Sequence, residues 1–407
     1  MGFMSGSVTF KRLLVLGDSY KRVDDAVLER LSAHAMGADS IRTADKTELG
    51  WVTGEHILDT RFDFSKNALA DGLYFALRID TNKPPPDLVR SYQKLNEEAM
   101  LEASGRDFLS KAERREAKEQ ATSRADKEAA AGAFRRSKMV PAFWDLKRGE
   151  VYLGSTAGGV IDQFLLLFRQ SFDRSLVPLT SGELAARWCV SAGEARAYDD
   201  CSPAHFVTPP DGATDPAETF ASREGASKDF LGTEWLTWLM YTADVGASEI
   251  TTPQGHNVSI LFEKALQLEC AFKLSGTLSA TADAPAELPE ISVAMATGKR
   301  PIRAGLQIAV HGDGYGLTLR GDAMNYGGVR LPDPTDATGP RAIFEDRMEH
   351  LRDLIEAMQA LYVAFLKKRL SNKWPATLNA VRAWLAAGRE AGASQVESVL
   401  PSMAAAS

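Results

Sequence analysis

Three consecutive prolines, Pro84-Pro85-Pro86, separate two kinds of chain and constrain what can form on either side. Proline fixes φ and removes a backbone donor, so neither a strand nor a helix runs through this point, and it acts as a stiff boundary. Before it, residues 8–16 (VTFKRLLVL, closed by Gly17-Asp18) and 73–79 are rich in β-branched and aliphatic residues and read as strands. Between them, Asp24 or Asp25 caps a helix on which Val27, Leu28, Leu31 and Ala35 recur at helical spacing. After the prolines, residues 87–138 change to Ala, Glu, Lys, Arg and Gln, the composition of long helices with charged faces, read as a solvated helical hairpin. Phe143 and Trp144 then open a second strand pair, 144–146 and 150–154, and Phe164, Leu167 and Phe168 mark a helix over 160–172.

This order predicts an α+β fold with a split βαβ-type base domain (1–84 and 139–190) from which an inserted helical tip (85–138) projects. Residues 199–228 are dense in Asp, Pro, Gly, Ala and Thr and read as a linker. An aromatic helix at 230–241 and strand-like stretches at 249–252, 256–262, 266–274, 306–310 and 316–319 predict a mainly antiparallel β central region (191–345). C-terminal helices (346–400) follow: Met348, Leu351, Leu354, Ile355, Met358, Leu361, Tyr362, Phe365 and Leu366 form one apolar stripe, read as core, and Trp374-Pro375 starts the last helix. The tail after Pro401 is expected to fray.

Of the 407 residues, 44% are hydrophobic and 25% charged, enough apolar material for two or three domains. No segment has the apolar length of a membrane span or the pattern of a secretory leader, which predicts a cytoplasmic protein with no membrane partner. Cys189, Cys201 and Cys270 are too few and too dispersed for a disulfide framework or zinc. The net charge of -7 excludes a nucleic-acid binder that relies on bulk charge, so any DNA site is a local basic patch.

Two catalytic patterns compete. Leu16-Gly17-Asp18-Ser19 follows the first strand, as the serine of a GDSL-type esterase does, but no Asp-x-x-His is present to supply the base. A metal-dependent DNA exonuclease needs paired carboxylates at strand ends, for which Asp313 qualifies, yet His311-Gly312-Asp313-Gly314 reads better as a tight turn. Gly298-Lys299 lacks the upstream glycine of a phosphate loop, and the six histidines (His34, His56, His205, His256, His311, His350) are scattered. The expectation is therefore no enzyme, no cofactor and no metal.

Two basic clusters remain. Arg135, Arg136 and Lys138 lie beside Phe134 at the end of the helical insertion, and Lys299, Arg300 and Arg303 lie in the β-rich region, both without acids nearby in sequence. Such clusters neutralise phosphates without reading bases.

Several strings in order resemble the recombination-associated RdgC family. They are Phe10-Lys11-Arg12-Leu13-Leu14-Val15, Gly50-Trp51-Val52, the charged helices, Ala133-Phe134 with its arginines, and the run from Asp145 through Arg148-Gly149 to Leu176-Val177-Pro178-Leu179. The resemblance covers the first half and fades after Trp188, where loops at 199–228 and 274–297 make this chain a longer, divergent member. It implies a nucleoid-associated, ring-shaped homodimer that holds double-stranded DNA in a central hole and modulates RecA-dependent recombination, meeting the RecA recombinase on shared DNA. It also implies ring closure at a projecting aromatic, which falls on Phe134 by its Ala-Phe context.

Overall fold

The computed structural model describes residues 2–18, 20–37, 40–42, 47–213, 215–217, 227–246, 249–251, 255, 257–334 and 337–399. Ser19, His256 and the tail after Pro401 lie outside them. The fold is α+β with antiparallel sheet, as the sequence predicts. Among the described residues no helix is long and apolar enough to cross a membrane. The chain forms two units, one of residues 1–14, 152–156 and 177–407, the other of 15–151 and 157–176. This differs from the expected division: the insertion 85–138 and the helices after 345 are not separate units, and 152–156 and 177–190 join the C-terminal half. Residues 1–14 belong with the C-terminal half, because the strand Val8–Val15 pairs antiparallel with Asn325–Arg330, and no unit boundary falls at 190.

In the unit of 15–151 and 157–176, the strands Ile41–Arg42, Glu48–Val52, Gly72–Thr81 and Arg136–Asp145 lie side by side in that order, all antiparallel. Gly72–Thr81 is almost wholly buried, which explains its continuous apolar run. Helix Gly158–Phe172 presents Phe164, Phe168 and Phe172 to Trp51, Phe75 and Trp144, with ring centroids 5.0–6.5 Å apart. Buried Trp51 donates its indole N–H to Ser171 Oγ at 2.7 Å. Asp24, not Asp25, caps the first helix through Val27 N. The charged insertion folds as the helices Pro86–Ser104 and Lys111–Ala130. The second begins with a capping box, Ser110 and Glu113 each bonding the other's backbone N–H. Its Ala117, Ala121, Ala125 and Ala129 are the buried stripe, small enough for close helix packing.

In the other unit the antiparallel order is Leu278–Ala280, Asn257–Cys270, Lys299–Val310, Asp313–Arg320, Asn325–Arg330 and Val8–Val15. The long helix Pro340–Arg369 buries every residue of its predicted stripe, which is core. Helix Phe230–Asp244 meets the sheet at Gly232, where a Cβ would lie 2.1 Å from Gly321 O, so only glycine permits this backbone contact.

Lys11 is 3% exposed and donates to the carbonyls of Leu179, at 2.8 Å, and Ala323. Burial pulls its ammonium down from the ordinary 10.5 to about 8, with Asp229 and Asp322 opposing the fall. Between those two values the unfolded chain holds a proton that the folded chain does not, so stability rises as pH climbs from about 8 to 10.5. Below about 8 the charged amine weighs fully on the fold. Lys11→Met is expected to flatten this rise, measured as the urea midpoint of both proteins across that window; equal slopes would show that another group causes it.

Candidate nucleic-acid interface

Strand alternation divides the sheet of residues 257–330 into two faces. Val258, Ile260, Leu266, Leu268, Ala304, Leu306, Ile308, Leu317 and Leu319 are buried. The other parity carries Arg303, Gln307, Thr318, Arg320 and Arg330, of which the three arginines are exposed. Register aligns Gln267, Arg303, Arg320 and Asn325 in one row across four strands. The next row holds Gly305, Thr318 and Gly327, and a third holds Leu261, Gln307, Gly316 and Arg330. The glycines keep the face low. At Gly305 a Cβ would lie 2.1 Å from Glu263 O, because the bulge at Lys264 (φ +67°) leans over it.

Arg303 stands directly opposite Arg320, a like-charge pair that costs a fraction of a kcal/mol unless an anion lies between. Arg320 grips Asp322 with two bonds of 2.9 and 3.1 Å, which raises its pKa. Arg303 has no ion pair among the described residues. Arg330 reaches Glu263 at 3.4 Å.

The three expected cations of this region do not converge. Lys299 is half-buried, its ammonium bonded to Ser275 Oγ at 2.9 Å and to Gly276 O. Arg300 is 9% exposed and donates to Ala204 O at 2.7 Å; burial lowers its pKa. It is therefore a buried structural cation and not a phosphate contact. A register shift between Pro301 and Arg303 breaks the strand's alternation there, and Arg300 is covered by the chain at 204–206, its guanidinium lying over the Phe206 ring. Only Arg303 reaches the open face, with Arg320 and Arg330, which the sequence reading missed.

In the other unit, Arg135 is not free of acids. Asp80, 4% exposed, accepts from Arg78 Nε and Nη2 at 2.8 and 2.7 Å and from Arg135 Nη2 at 2.8 Å. Burial pushes the Asp80 carboxyl up, but hydrogen bonds from Arg78, Ser137 and Arg135 hold it below the usual range. Arg135 thus anchors the exit of the helical insertion. Arg136 and Lys138 are exposed on one face of their strand, opposite Thr81 and Ile79. Phe134 is half-buried and does not project. The aromatic that does is Phe108, 78% exposed in the turn between the two helices beside buried Leu109.

The residues of the competing catalytic patterns fall elsewhere. His311 (φ +53°) and Gly312 (φ +90°) form the tight turn the sequence predicts. His350 lies 3.7 Å from Asp313, 3.8 Å from Asp346 and 3.2 Å from the Tyr315 hydroxyl. Among the described residues no three His, Cys, Asp or Glu side chains group to hold a metal. The cysteines are buried and free. No family model matches the chain, and no curated protein matches it.

Proposed function

We propose that this chain is a non-catalytic protein of the RdgC kind, binding double-stranded DNA without sequence preference as a ring-shaped homodimer and modulating RecA-dependent recombination on the shared DNA. The observation that carries the reading is the row that sets Arg303, which has no ion pair among the described residues, opposite Arg320 on an exposed, glycine-rich sheet face. Such a face offers cations among small residues, which suits phosphate contact. Arg330, Arg136 and Lys138 extend the set of exposed cations. Net charge of -7 does not oppose this, because acids farther than a Debye length of about 8 Å are screened. Closure of the ring is assigned to Phe108 in place of Phe134, since Phe108 is 78% exposed whereas Phe134 is half-buried.

Light scattering should give twice the chain mass, and duplex affinity should fall steeply between two salt concentrations, equally for unrelated sequences. Phe108→Ala, with unchanged unfolding, should shorten retention on circular DNA more than on short linear duplex. A monomer with salt-independent binding, or steady nucleotide release with magnesium or manganese, would overturn the reading.

A further inference from the structure

Helix Trp374–Val399 forms one side of an apolar groove whose polar rim is made of carboxylates, and we propose that the groove binds a small amphipathic cation, an amine carried on an alkyl or aryl body. Its walls all belong to one unit. They are the end of helix Phe230–Asp244, strand residues 260–263, the chain from Asp283 to Met295, and the stretch from Trp384 to Gly388. Ala282 N donates to Lys264 O at 3.3 Å, which ties the rim at 282–287 to the strand, so the strand edge serves here as wall. At Gly388 an added Cβ would meet Ser292 Cβ at 3.4 Å, so the last helix touches helix Pro289–Ala296 at that end of the groove.

Two observations select the ligand. The first is size and lining. The cavity holds about 890 Å³, the size of a small-molecule cleft, and Met240, Ile291, Met295, Trp384 and Leu385 make it apolar. The Trp384 ring is held in place: its N–H donates to Asp244 at 2.6 Å, and Tyr241 meets it edge-on with centroids 5.9 Å apart. An indole is the ring best suited to hold an ammonium over its face, and two methionines let the remaining wall fit bodies of different shape. The second observation is the sign of the rim. Asp244, Glu263, Asp283 and Glu287 line the groove, and among the described residues no lysine or arginine does. Glu263 is engaged by Lys264 and Arg330, at 3.3 and 3.4 Å. Asp283 and Glu287 are exposed and have no ion pair among the described residues, which leaves their charge for a ligand. Carboxylates over apolar walls repel anions, nucleic acid and fatty acid alike, and attract an ammonium. An apolar body on the floor with its charge at the rim answers both observations. A polyamine would leave the floor empty, and a neutral molecule would leave the rim unanswered.

The test titrates the full chain with octylammonium, octanol and octanoate, which share one chain length and differ in the charge of the head group. Calorimetry should show one saturable site for octylammonium, with octanol and octanoate weaker by at least about tenfold. Asp283→Asn with Glu287→Gln should bring octylammonium down to the octanol level and leave octanol unchanged. Ala387→Trp, at an exposed position bordering the groove, should block both. None of these positions lies on the sheet face of Arg303 and Arg320, so duplex binding should be unchanged by them, and this result stands or falls apart from the DNA reading. Absence of saturable binding, octanoate bound as tightly as octylammonium, or an affinity indifferent to both sets of substitutions overturns the proposal. A change of oligomeric mass in either variant would assign the groove to a second copy of the chain and also overturn it.

Discussion

Glu234→Ala is expected to lower the stability of the unit that contains it by about 3–5 kcal/mol, the usual cost of leaving a buried charge without its partner. Glu234 is fully buried on helix Phe230–Asp244. One carboxylate oxygen accepts from Ala204 N and the other from Arg369 Nε, both at 2.6 Å. Arg369, 8% exposed, also donates to Ser202 O at 2.7 Å, and Arg300 donates to Ala204 O at 2.7 Å. Lys228 donates to the carbonyls of Tyr198, Asp199 and Cys201 at 2.6–2.8 Å. The end of helix Ala195–Asp199 and the irregular chain to Ala204 are thereby held by three cations and one carboxylate, which answers where their backbone bonds go. Burial lowers the Arg369 pKa, but Glu234 outweighs it and leaves the value raised. Removing Glu234 therefore leaves two guanidiniums buried without their counter-charge. The measurement is the urea midpoint at constant m. Glu234→Leu with Arg369→Leu should lose less than either single change, because the desolvation cost leaves with the pair. A loss below about 1 kcal/mol for Glu234→Ala would mean that water reaches the site.

The parts legible in the sequence are those with a local cause. Composition after Pro84-Pro85-Pro86 announced the helical insertion, and the spacing from Met348 to Leu366 announced a buried helix. Both signals repeat within a few residues, at the period of the element they form. What was missed depends on distant neighbours. Asp80 meets Arg135 across 55 residues, so a cluster that looked free of acids is paired. Val8–Val15 pairs with a strand more than 300 residues away, which no local pattern reveals. The strand Asn257–Cys270 read as two stretches because the bulge at Lys264 breaks its alternation. Arg300 could not be separated from Arg303 locally either, because a register shift between them breaks the alternation and the cover over Arg300 comes from Ala204, 96 residues away. Arg320 and Arg330 carried no sequence signal, since each is the lone cation of its stretch until the register aligns them.

Arg303→Glu with Arg320→Glu is expected to abolish most duplex binding, and the size of the loss reports the number of copies on the DNA. Each phosphate contact adds about 0.9 to the slope of log affinity against log salt. Two lost contacts on one copy reduce that slope by about 1.8 and, at about 0.15 M salt, the affinity by roughly thirtyfold. Two copies closing on one duplex double the exponent, to about 3.6 in slope and roughly a thousandfold in affinity. Arg303→Gln with Arg320→Gln removes the charge while keeping polar side chains on the face, and should give the same slope change without added repulsion. Arg300→Met supplies the contrast. Its guanidinium is bonded to Ala204 O inside the fold, so the variant should lose stability and keep the wild-type salt slope. A slope that follows Arg300 and ignores Arg303 and Arg320 would place the phosphates on some other surface and end the assignment of this sheet face to DNA.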